Sequence, residues 1–68
     1  MIFFGGGGNP DDFLHEGIEM IHRKQPKIAI SLFKKALKID PKHIETLYNL
    51  GLAQNQLKKY QDAITSFD

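Results

Sequence analysis

Three histidines, eight acids and a run of four glycines are the residues of this 68-residue chain best equipped for chemistry. His15 and His22 lie seven residues apart, so on one helix they share a side. Two turns then separate them, whereas two imidazoles that hold one metal from a helix are spaced one turn apart. Asp11 with Asp12, and Glu16 with Glu19, are paired acids, but no nucleophile, base or pocket is implied beside either pair. They read as a complement to a helix dipole and as a solvated face. His43 falls at a helix junction and reads as a surface or capping residue. Gly5 to Gly8 lack the Gly-Lys-Ser/Thr ending and the preceding strand of a phosphate loop. No catalytic residue, metal or cofactor is expected from this set, and an enzyme is the weaker hypothesis.

These residues are carried by helices. Asn9 is a good N-cap, Pro10 suits the first helical position, and Asp11 and Asp12 follow in the first turn. Phe13, Leu14, Gly17, Ile18, Met20 and Ile21 then recur at intervals of three and four, which predicts a helix ending near His22 to Lys24. Pro26 opens a second helix with apolar Ile28, Ala29, Ile30, Leu32, Phe33, Ala36, Leu37 and Ile39, while Lys27, Lys34, Lys35 and Lys38 face water. Asp40 and Pro41 close it. A third helix is expected from Pro41 or Ile44 to Leu57, and a fourth from about Tyr60 to the end, with Lys58 and Lys59 in the turn between them.

Composition narrows the class of partner. Lysine and arginine number 9 against 8 acids, so a net charge of +1 gives no electrostatic reason to expect nucleic acid or an anionic membrane. With no cysteine there is no disulfide framework or thiolate metal site, which points to a reducing compartment. No signal peptide, membrane span or myristoylation site is legible, and a cytoplasmic location is the expectation. Residues 1–8 read as a glycine-rich flexible tail whose Ile2, Phe3 and Phe4 can act as an apolar plug. A chain this short buries only about 60% of its unfolded surface and gains from outside help.

The halves of the chain superpose on a shift of 34 residues. Gly17 falls on Gly51, Lys24 on Lys58, Ala29 on Ala63, Ile30 on Ile64 and Phe33 on Phe67. Phe13 and Leu47, and Ser31 and Thr65, are similar pairs. Gly17 and Gly51 each cost a helix about 1 kcal/mol relative to alanine, so their recurrence implies another helix packed close, with Ala29 and Ala63 as partners. Phe33 and Phe67 would fill the wider space beyond.

Period, helix-turn-helix unit and residues together resemble the tetratricopeptide repeat family. Phe13, Gly17, Met20, Ala29, Phe33, Ala36 and Pro41 occupy the family's positions in the first copy, with Glu16 where leucine is usual. Leu47, Leu50, Gly51, Tyr60, Ala63 and Phe67 occupy them in the second, with Gln54 replacing an aromatic. The resemblance implies an all-α fold of antiparallel helix pairs stacked into a superhelix, with repeats at 9–42 and 43–68, four helices, and the last one short.

By the same resemblance the chain is a protein-interaction module whose first helices line a groove for a peptide or helix of a partner. The groove side chains implied are Asp11, Leu14, Ile18, Ile21, Glu45, Tyr48, Leu52, Asn55 and Gln56. Family members that grip the acidic C-terminus of chaperones carry lysine and asparagine where this chain has Leu14, Ile18, Tyr48 and Leu52. That departure favours an apolar or aromatic ligand segment, with Asn55 and Gln56 bonding its backbone. The competing expectation is self-assembly. Ile64, Phe67 and the third helix form an uncovered edge on which a second copy stacks its helices or exchanges its last one.

Overall fold

A computed structural model describes residues 9–67, with side chains through Ile64. It holds three helices among these residues: α1 (Pro10–His22), α2 (Pro26–Ile39) and α3 (Ile44–Phe67). Asn9 caps α1 from extended backbone, its Oδ1 accepting the Asp11 N–H at 2.9 Å. At the other end Lys24 takes a positive φ of 62°. The Lys24 N–H donates to the Ile21 carbonyl and the Gln25 N–H to the Met20 carbonyl, a crossed pair of bonds that ends the helix and turns the chain back. Pro26 then starts α2 in antiparallel contact with α1, needing no amide partner in the first turn.

The second turn is built differently. Asp40 leaves α2 in extended geometry ahead of Pro41. Its Oδ1 accepts the Lys42 N–H at 3.1 Å, and its carbonyl accepts the His43 N–H at 3.1 Å. The His43 carbonyl in turn accepts the Leu47 N–H, which makes His43 the residue that launches α3.

The core lies where the three helices meet. Leu14 and Gly17 of α1, Ala29, Phe33 and Ala36 of α2, and Thr46 and Ala53 of α3 are buried. Ile18, Met20, Ile21, Ile30 and Leu50 pack around them. A Cβ built on Gly17 would lie 2.3 Å from Phe33 Cε1, closer than any carbon can approach, so the Phe33 ring occupies the space a side chain would need. Phe33 is fully buried there and contributes roughly 1.5–3 kcal/mol by transfer from water. Lys35 adds a cation–π contact across the hairpin, its Nζ 5.9 Å from the centre of the Phe13 ring.

Four expectations from the sequence are corrected. The turn expected at Lys58–Lys59 does not form, and the third and fourth helices are one continuous α3. The first copy turns where Lys24 adopts positive φ and Pro26 follows; at the aligned positions stand Lys58 and Tyr60, neither of which interrupts a helix. Gly51 consequently does not pack against Ala63. Twelve residues along one helix set them about 18 Å apart, Ala63 is exposed, and a Cβ on Gly51 would meet nothing within 4 Å. Exchange of a separate last helix has no separate helix to act on. Pro41 is exposed in its turn rather than packed. The expectations placed on the Ile2 to Phe4 plug and on the Phe67 side chain lie outside the described residues.

Candidate binding cleft between α1 and α3

Where α3 passes the end of α1, the two helices leave an open cleft of about 420 Å³ lined by Ile21, Leu52, Asn55, Gln56, Lys59 and Tyr60. The α3 members recur at intervals of three and four, so one side of a single helix supplies five of the six. Ile21 comes from the last full turn of α1, held in place because the crossed bonds to Met20 and Ile21 end the helix there. Leu52, Tyr60 and Ile21 give apolar walls, and the amides of Asn55 and Gln56 lie between them. Gln56 Oε1 is shut from solvent and has no hydrogen-bond partner among the described residues. An acceptor in that state has lost its water without gaining a replacement, at a cost of about 1–3 kcal/mol.

Of the groove residues read from the sequence, Ile21, Leu52, Asn55 and Gln56 are brought together on this cleft. Leu14 is not available to a ligand: it is 2% exposed and belongs to the core, because α2 packs over that side of α1. Ile18 is half-buried against the same core. Tyr48 is exposed on α3 one turn before Leu52, outside the cleft lining. Lys59 and Tyr60 were missing from the sequence reading, which put a turn before Tyr60. The signal for them was the absence of proline or glycine between Leu57 and Tyr60, since an uninterrupted helix carries the spacing of Leu52, Asn55 and Gln56 on to Lys59 and Tyr60.

Asp11 and Glu45 gather at the opposite end of the molecule, around His43. His43 Nε2 lies 2.9 Å from Asp11 Oδ1, and His43 Nδ1 lies 2.8 Å from Thr46 Oγ1. The ligand-type atoms of Asp11, His43 and Glu45 all fall within 4.8 Å of one another. Both ring nitrogens are thus engaged, one by a carboxylate on α1 and one by a buried hydroxyl on α3. The arrangement is a strap between the starts of the two cleft helices, and it satisfies the Thr46 hydroxyl, which would otherwise be a buried unpaired polar group. His15 and His22 are exposed on α1 and take no part in it.

An antiparallel helix pair closed by an aromatic ring over a glycine, with a third helix forming a cleft against the first, defines a helical-repeat scaffold. A tetratricopeptide repeat family model matches residues 32–65, half of the chain. The chain belongs to the tetratricopeptide repeat family, whose repeats serve as protein-interaction scaffolds. Comparison with curated proteins and with solved structures finds no match. No helix among the described residues is long and apolar enough to cross a membrane.

Proposed function

We propose that the chain captures a short apolar or aromatic segment of a partner protein, extended or helical, in the cleft between α1 and α3. The observation that carries this reading is the unpartnered Gln56 oxygen set among apolar walls. A peptide N–H that meets it, after a small rotation of the amide, gains a hydrogen bond to an acceptor that is already dehydrated. Asn55 beside it can serve the next backbone group, while Leu52, Ile21 and Tyr60 receive side chains. Lys59 at the rim adds one exposed cation, worth about 0–1 kcal/mol to an acidic neighbour of the bound segment and screened by salt. Affinity therefore comes from apolar burial and one or two amide contacts and changes little with ionic strength.

Selection of peptides from a random display library against the chain supplies the test. Selected peptides are expected to be rich in apolar and aromatic residues and to lose about tenfold or more in affinity on Tyr60→Ala or Leu52→Asp, since aromatic anchors dominate such interfaces. Peptides that bind equally well to Tyr60→Ala, Leu52→Asp and Gln56→Leu would overturn the assignment of the cleft.

A further inference from the structure

At the end of the molecule away from the cleft, the strap around His43 has the makings of a metal site. Asp11 stands in the first turn of α1 and Glu45 in the first turn of α3. His43 Nε2 lies between the two helices, 2.9 Å from Asp11 Oδ1, and one donor atom from each of the three residues falls within 4.8 Å of the others. Asp11 is engaged by the ring, whereas the Glu45 carboxylate has no hydrogen-bond or ion-pair partner among the described residues. Two carboxylates thus converge on one imidazole. That donor set suits zinc and its first-row neighbours, and it falls short of the six to eight oxygens that calcium takes.

We propose that Asp11, His43 and Glu45 bind a divalent transition-metal ion of the zinc class, with His43 Nε2 and one oxygen of each carboxylate as ligands and water in the fourth position. Zinc bonds of about 2.0–2.2 Å set the ligand atoms of a tetrahedral site about 3.3–3.5 Å apart. The Nε2–Oδ1 separation has to open by only about 0.4 Å to meet that spacing, and the exposed Glu45 carboxylate has to close by no more than about 1.5 Å.

The other side of the ring is already arranged for this role. His43 Nδ1 lies 2.8 Å from Thr46 Oγ1, and Thr46 is fully buried, so the ring is held facing Asp11. A metal-bound imidazole gives its second N–H to an acceptor, and a hydroxyl can turn to accept as well as donate. The ring proton that faces Asp11 then moves to Nδ1, where Thr46 Oγ1 accepts it, and the Nε2 lone pair is left for the ion. The positive ends of α1 and α3 oppose a cation with roughly half a charge each, and the two carboxylates outweigh them. With three protein ligands and that opposition, the site binds more weakly than a closed four-ligand centre, and its ion braces α1 against α3.

Titration of the untagged, isotope-labelled chain with zinc chloride alone tests the site by NMR. The His43 ring and the backbone amides of Asp11, Glu45 and Thr46 should shift together, at one ion per chain, and saturate below about 1 mM zinc. Glu45→Gln removes a ligand while leaving the His43 contacts to Asp11 and Thr46 in place. It should weaken binding about tenfold or more and change the zinc-free melting temperature little. Zinc should raise the melting temperature of the unaltered chain, and raise that of Glu45→Gln less. No shift up to about 1 mM zinc, shifts on the His15 or His22 rings with His43 unmoved, or binding as tight in Glu45→Gln as in the unaltered chain would each overturn the proposal.

Discussion

At Gly17 and Gly51 one residue type occupies aligned positions on two helices, yet a methyl group would meet opposite surroundings. On Gly17 it would collide with the Phe33 ring at 2.3 Å, whereas on Gly51 it would enter open space. Gly17→Ala is therefore expected to destabilise by about 1–3 kcal/mol through overpacking, despite the better helix propensity of alanine. Gly51→Ala should stabilise by up to about 1 kcal/mol, because only the propensity gain remains. Urea melts measure both; equal signs would show that the two glycines share one environment. Phe33→Ala, emptying a fully buried ring site, should cost about 3–5 kcal/mol. The sequence reading put Ala29 against Gly17 and Phe33 in the space beyond, whereas the Phe33 ring itself lies against Gly17. A close helix contact at Gly17 was legible, because a glycine in mid-helix demands a reason. The Asp11–His43–Thr46 strap was not, since its members lie 32 and 3 residues apart and no periodicity connects them.

Helices and turns obey their local signals more closely than they obey the repeat. The start of α1 at Asn9 and Pro10, and the ends of α2 at Pro26 and Asp40, follow from residues that restrict the backbone and were readable in advance. The fourth helix was read from the 34-residue shift, which carries Ala29 and Phe33 onto Ala63 and Phe67 but does not carry Pro26 onto another proline. Without that proline the helix runs on through Lys58 and Lys59. Two substitutions examine this account. Lys24→Gly should stabilise the hairpin by about 0.5–1 kcal/mol, because glycine takes the positive φ at Lys24 without strain. Tyr60→Pro should interrupt α3, shortening the distance between spin labels at Glu45 and Ser66 from the roughly 32 Å of a straight helix. An unchanged distance would mean that packing rather than sequence keeps α3 straight.

For the molecule as a whole, the continuity of α3 decides what the chain offers to partners. One side of the helix closes the core through Thr46, Leu50 and Ala53, and a second side forms the cleft with Ile21. Ile44, Leu47 and Tyr48 are exposed on the turns of α3 that precede the cleft. The His43–Asp11 strap holds α1 and α3 together at the end away from the cleft. His43→Ala should thus loosen the spacing of the cleft helices and leave the Thr46 hydroxyl unpaired, at a stability cost of about 1–3 kcal/mol readable in thermal melts. The central claim is that the cleft between α1 and α3 receives a partner's peptide. Its most direct test is NMR titration of the isotope-labelled chain with a display-selected peptide, following every backbone and side-chain amide. The account predicts that the largest shifts fall on Ile21, Leu52, Asn55, Lys59 and Tyr60 and on the side-chain amide of Gln56. Shifts concentrated instead on the lysine-bearing face of α2, at Lys27, Lys34 and Lys38, with the Gln56 amide unmoved, would contradict it.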